Sequence, residues 1–211
     1  MFKNLYNNLF SHYGDLRWWP SESDDETVIG CILTQNTSWK NVEKAIAKMK
    51  ESGIITLDDI RNLPVDKLRE LIRSSGFFNQ KSIYLKEISN GIINNYGSIE
   101  CMKGRNIKEI ENFISGLKGV GNETKESIML YALDYPVFVV DAYTFRFLER
   151  YYGKKFTRKE IRKIAEEEFP DVNLLKNFHG MLVNLGKDFC RKKPLCDSCF
   201  LRDSCKTGKK L

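Results

Sequence analysis

The sequence predicts an all-α protein. Apolar residues recur at helical spacing through most of the chain, as in Val65, Leu68, Leu71 and Ile72 after Pro64 and in Leu85, Ile88, Ile92 and Ile93. Turn signals such as Ser52-Gly53, Asn90-Gly91 and Tyr96-Gly97 fall in or between these runs at intervals that suit a helical bundle. Nowhere does an apolar and polar alternation run long enough to build a sheet.

In chain order, MFKNLYNNLFSHYGDL reads as an amphipathic first helix with neither an apolar signal core nor a small-residue cleavage site. No apolar run reaches membrane-spanning length, so a cytoplasmic or nucleoid location, no membrane partner and a monomer are expected. Residues 107–133, IKEIENFISGLKGVGNETKESIMLYAL, read as a helix, a short glycine-bearing turn and a second helix. The run Pro136-Val137-Phe138-Val139-Val140 suits either a short strand or a buried connector, and Asp141 is placed to cap a helix starting near Ala142. A content of 42% hydrophobic and 29% charged residues excludes both a disordered and a membrane composition. The net charge of +6 favours an anionic partner such as nucleic acid only modestly, because scattered Lys and Arg are usually a solvated surface.

Four of the six cysteines crowd the C-terminus, in CRKKPLCDSCFLRDSC. Cys190, Cys196, Cys199 and Cys205 follow a C-x5-C-x2-C-x5-C spacing whose short loops bring four thiolates around one centre. A [4Fe-4S] cluster takes four cysteines, and so does one common structural zinc site, so the ligand type leaves both open. Cys31 and Cys101 stand apart and read as core or near-core residues. Between the first two ligands, Arg191-Lys192-Lys193-Pro194 forms a basic loop tethered at both ends. A preordered positive loop loses little entropy on meeting a phosphate backbone.

In the turn Leu117-Lys118-Gly119-Val120-Gly121, the two glycines permit a tight reversal with approachable backbone amides. The second helix then points its positive end at whatever the turn meets, which suits a phosphate and carries no base information. Twenty residues on, Asp141 follows an apolar run, and desolvating a carboxylate there is costly without a purpose.

The segments LKGVGNET, VVDAYTFR and NFHGMLVNLGKDFC, followed by the cysteine cluster, resemble the helix-hairpin-helix-GPD superfamily, and endonuclease III in particular. The resemblance spans nearly the whole chain and includes LTQNT, with Gln35 and Asn36, and GFFNQK, with Phe77, Phe78, Asn79 and Lys81. These are similar to the family's two loops that enter DNA near an extruded nucleotide. The resemblance implies a six-helix domain at residues 22–135 and a second, cluster-bearing domain made of 1–21 with 136–211, with damaged or mismatched double-stranded DNA lying across the cleft between them. It implies further that Gly119, Val120 and Gly121 grip a phosphate, that Lys192 and Lys193 contact the backbone, that the cysteines hold a [4Fe-4S] cluster, and that Asp141 is the catalytic carboxylate.

The chain departs from endonuclease III in two places. Glu123 stands where bifunctional members carry the lysine that attacks the sugar, and a carboxylate cannot form an imine. Lys125 is two steps further along the helix and so turned by about 200°. The first cysteine interval is also one residue shorter than in endonuclease III, which alters the loop bearing Lys192 and Lys193. Trp18, Trp19 and Pro20 in DLRWWP, together with Trp39, are similar to the 3-methyladenine DNA glycosylase III branch, which is monofunctional and uses an aromatic pocket. Trp18 reads as core packing, and Trp19, Pro20 and Trp39 as the base pocket, where ring faces attract a cationic alkylated purine. These features together imply hydrolysis of an N-glycosidic bond by Asp141, with Glu123 tuning the pocket or placing the water. The alternatives are a mismatch or oxidised-base glycosylase, a bifunctional glycosylase/AP lyase and, in a different class, a non-catalytic DNA-binding iron-sulfur protein.

Overall fold

A computed structural model describes residues 1–210, and among them every regular element is helical. The chain packs into two compact units, Ser21–Tyr135 and the combination of Met1–Pro20 with Pro136–Leu211. No helix among the described residues is long and apolar enough to cross a membrane.

The Ser21–Tyr135 unit starts with α2 (Asp24–Leu33), where the Ser23 side chain accepts from Glu26 N and three acidic residues fill the first turn. α3 (Trp39–Glu51) and α4 (Leu57–Asn62) follow, the latter opened by a capping box between Thr56 and Asp59. Pro64 separates α4 from α5 (Val65–Leu71), so seven α-helical segments occupy this unit where six were anticipated. The 3-10 turn Arg73–Ser75 leads into α6 (Phe78–Tyr96). α7 (Ile107–Ser115) and α8 (Asn122–Ser127) form the anticipated hairpin, and α8 runs on as the buried π turn Ile128–Ala132.

Of the periodic residues, Leu68, Ile72, Leu85, Ile88 and Ile92 are fully buried and Leu71 nearly so, while Val65 and Ile93 are half-buried at the edge of the core. The Asn90-Gly91 pair, a turn signal in sequence, lies inside α6. A Cβ on Gly91 would come within 2.8 Å of Leu117 Cδ2, so this glycine admits a hairpin side chain against the helix instead of reversing the chain.

The other unit packs α1 (Phe2–Tyr13) with α9 (Ala142–Tyr152), α10 (Arg158–Glu168) and α11 (Val172–Asp188). Phe2, Leu5, Leu9, Phe138 and Phe178 form its centre. Val137–Val140 is a buried connector without regular structure, preceded by an exposed Pro136, and Glu166 rather than a neighbouring strand accepts the Phe138 amide, at 2.9 Å. Two glycines in α11 allow close approach. A Cβ on Gly180 would collide with Trp18 at 2.6 Å, and one on Gly186 would collide with Tyr143 of α9 at 2.3 Å. Trp18 is therefore packing, as read from sequence.

Candidate active site

Asp141 ends the apolar connector and caps α9. Its Oδ1 accepts the Thr144 amide at 2.7 Å, while Oδ2 lies 3.6 Å from Nε2 of His179 on α11. Asp141 is only 7% exposed. Burial pushes its carboxyl up, but the His179 ring and the Thr144 contacts outweigh burial and hold it below the ordinary carboxylate value. The result is a buried carboxylate that stays ionised, which suits it to face developing positive charge. His179 was not singled out from sequence. A histidine within Phe178-His179-Gly180-Met181-Leu182 reads as core, and only the packing of α9 with α11 reveals its partner.

In the Ser21–Tyr135 unit, the hairpin turn depends on Gly119. Its φ is 84°, and a Cβ there would meet the Tyr84 ring at 2.1 Å, so both conformation and space require glycine. Val120 N closes the turn on Leu117 O at 3.3 Å. Gly121 precedes α8 with an ordinary backbone, and its missing Cβ leaves open space. Glu123 is exposed on α8. Lys125 is turned to α7, its Nζ 3.1 Å from Glu111 Oε1.

The two loops singled out from sequence both carry left-handed residues that are not glycine, Asn36 at φ 52° and Phe77 at φ 45°. Asn36 and Asn79 are exposed, Phe77 is 63% exposed, and Phe78 is half-buried beneath the Arg73 guanidinium. Gln35 is half-buried with its amide on the hairpin, donating to Gly119 O at 3.0 Å and Thr124 Oγ1 at 3.1 Å. Lys81 requires a correction, since a phosphate contact needs an exposed ammonium and this one is 2% exposed. It donates to Leu33 O and Ser75 O, both at 2.7 Å. Burial pushes it down to about 8. Trp19 and Trp39 are half-buried and Pro20 is exposed. Trp19 and Pro20 belong to one unit and Trp39 to the other.

Cys190, Cys196, Cys199 and Cys205 line a single cavity of about 370 Å³, counting space open to solvent, walled by Phe147, Phe189, Leu195 and Leu201. Arg150 of α9 donates to Cys190 Sγ at 3.4 Å, to Arg191 O at 2.6 Å and to Lys192 O at 3.0 Å, so the basic loop is anchored while Lys192 and Lys193 stay exposed. Burial raises the Cys196 and Cys199 thiols, and the neighbouring cysteines add to the rise. Among the described residues, no three His, Cys, Asp or Glu side chains form a group suited to a single metal ion. Four cysteine thiols lining one cavity are the donor set that a [4Fe-4S] cluster takes, and equally that of a four-thiolate zinc site, so the residues present fit either group. Of the two remaining cysteines, Cys31 is buried as expected. Cys101 is exposed, because it follows the turn at Ser98 instead of facing the core.

A hairpin with a glycine-dependent turn, followed by a buried capping carboxylate, defines a class. Residues 29–171 match the HhH-GPD superfamily of base excision DNA repair proteins, and the chain belongs to that family. It is 43% identical over 210 residues to the candidate DNA repair glycosylase MJ1434 of Methanocaldococcus jannaschii, covering 97% of this chain and 96% of that one. Among solved structures it is similar to the Helicobacter pylori 3-methyladenine DNA glycosylase MagIII bound to 1,N6-ethenoadenine, with 27% identity and a TM-score of 0.77 over 87% of this chain and 96% of that one. It is also similar to a thermostable thymine-DNA glycosylase, with 25% identity and a TM-score of 0.81 over 99% and 97%.

Proposed function

We propose that this chain is a monofunctional DNA glycosylase that extrudes an alkylated purine such as 3-methyladenine and hydrolyses its N-glycosidic bond. The observation that carries the reading is Asp141, buried and capping α9 yet held as an anion by His179 and Thr144. An alkylated purine is already cationic and leaves readily, so catalysis needs extrusion, selection and one carboxylate opposite the oxocarbenium-like sugar. Water adds to the sugar carbon as the base departs with the bonding pair. Asp141 stabilises the sugar's positive charge and orients the water, and tuning of the pocket or the water is the role proposed for Glu123.

Other residues bind and position the substrate. The turn at Gly119, Val120 and Gly121 holds a backbone phosphate, and Lys192 and Lys193 add charge to a loop already fixed by Arg150. Gln35, Asn36, Phe77, Phe78 and Asn79 shape the two loops that enter the duplex, with the exposed Phe77 ring as an apolar wedge. Trp19 and Trp39 are the aromatic faces proposed to receive a cationic base, with Pro20 next to Trp19 in the sequence. Cys190, Cys196, Cys199 and Cys205 would hold a [4Fe-4S] cluster, which when bound folds the C-terminal loop around itself. Purified protein should then be brown with about four irons per chain. Stoichiometric zinc without iron, after growth with ample iron, would reject the cluster.

Absence of strand nicking follows from Glu123 at the position of the nucleophilic lysine and from Lys125 being held on Glu111. A panel of duplexes with alkylated, deaminated, oxidised and mismatched bases tests both parts of the reading. Release of the alkylated purine with strand breaks only after alkali, and no adduct trapped by borohydride, is the outcome expected. Nicking without alkali, with an adduct lost in Lys125→Ala, would restore a lyase mechanism. Preferential release of thymine from a mismatch would favour the second reading, a mismatch glycosylase, which the likeness to the thermostable thymine-DNA glycosylase supports.

A further inference from the structure

Lys81 lies in the first turn of α6 with its ammonium out of solvent. Burying such a charge is costly, and the contacts it makes are to backbone. One acceptor, Leu33 O, is at the last residue of α2, and the other, Ser75 O, is at the last residue of the turn Arg73–Ser75. Carbonyls at helical C-termini have no partner within the helix and gather partial negative charge, so one cation satisfies two chain ends at once.

Each held carbonyl stands just before a strained tip. Asn36 follows Leu33 by three residues and Phe77 follows Ser75 by two, and both are left-handed. A left-handed phenylalanine persists only where its surroundings over-determine it. One turn along α6 from Lys81, Tyr84 packs on Gly119 of the hairpin, and Gln35 returns from the first loop to Gly119 O and Thr124 Oγ1. Both loops and the hairpin are thus tied together through one helix.

We propose that Lys81 is a positioning residue, a buried latch that fixes the loop tips Asn36 and Phe77 in the arrangement that enters the duplex, without touching DNA itself. The task given to the tips rests on the glycosylase reading above, whereas the latch is a property of the free chain. Lys81→Met keeps the length and removes every donor. The Gln35, Thr37 and Gly76 amides, which donate to Ile32 O, Thr34 O and Arg73 O, report on the two loops by hydrogen exchange. They should exchange about tenfold faster in Lys81→Met while α7 amides stay unchanged, and the melting temperature should fall only modestly, because relief of a desolvated charge offsets part of the cost of leaving the Leu33 and Ser75 carbonyls unpartnered.

The DNA arm uses 2-aminopurine beside an abasic-site analogue. Lys81→Met and Phe77→Ala should each reduce unstacking, and the double variant should lose no more than Phe77→Ala alone. Wild-type exchange rates at all three amides in Lys81→Met would overturn the latch, as would additive losses in the double variant. A wild-type chain that never unstacks the duplex would defeat the DNA reading, and exchange would still decide the latch. If Lys81→Met does not fold, Lys81→Gln takes its place, with one amide able to serve only one carbonyl. Faster exchange in at least one loop then supports the latch, and unchanged rates in both overturn it.

Discussion

Asp141 and Lys81 are buried charges in different units of the chain, and both are pushed below their ordinary pKa, with opposite meanings. Around Asp141, the His179 ring and a cap amide favour the ion over its neutral form. Around Lys81, two carbonyl dipoles leave burial dominant, so the ion is the disfavoured form. The linkage signs follow. Asp141 contributes stability that is present above its unfolded value of 3.8 and lost as pH falls through the lower folded value. Lys81 carries its full cost below about 8, and that cost is relieved as pH rises from there toward 10.5. One surrounding is built for its charge and the other tolerates it, which fits a carboxylate that meets the reacting sugar and an ammonium that only holds loops.

Replacing Asp141 by Asn breaks the comparison hardest. Asparagine is as good a helix cap and nearly the same shape, so folding stability should change by no more than about 1 kcal/mol. On the proposed mechanism the charge that stabilises the sugar is gone, and single-turnover excision should fall by about 10²-fold or more while affinity for damaged duplex is retained. Excision at the wild-type rate would remove Asp141 from catalysis. Lys81→Met should instead keep any chemistry that begins once a base is extruded and lose the extrusion step, so the two variants fail at different stages.

That difference also marks what sequence could supply. Asp141 was legible because a carboxylate after Val139-Val140 and before a helical run is both a cap and a desolvation problem, a local pattern. The hairpin was legible for the same reason, and the structure adds only why Gly119 cannot vary, through the Tyr84 ring. Lys81 was legible as a residue but not in its role. The resemblance put it among the residues of a loop that enters DNA, and only the meeting of the end of α2 with the turn Arg73–Ser75 buries it. His179 and Arg150 were missed because their partners lie 38 and 40 residues away, at Asp141 and Cys190, and helical periodicity carries no information about which helix packs on which.

The finest test concerns His179, since the comparison holds that Asp141 is favoured as an ion because of its neighbours and despite burial. His179→Phe removes the ring nitrogen that faces Asp141 Oδ2 while keeping an aromatic ring beside Phe138, so packing should survive. The Thr144 contacts then face burial without their main ally. With burial then opposed only at the cap, the carboxyl should rise. Excision needs the anion, so the acid limb of the single-turnover rate should move to higher pH by the same amount. At pH 8, where the carboxylate is ionised in both proteins, the rates should lie within a few-fold of each other. The linkage moves with it. Wild-type Asp141 loses its stabilising contribution as pH falls through its lowered folded value, and in His179→Phe that contribution should be smaller and be lost at higher pH. His179→Gln restores a neutral donor and should bring the acid limb part of the way back. Acid limbs that coincide in wild type and His179→Phe would mean that Asp141 owes its ionisation to the cap alone, and His179 would then be packing.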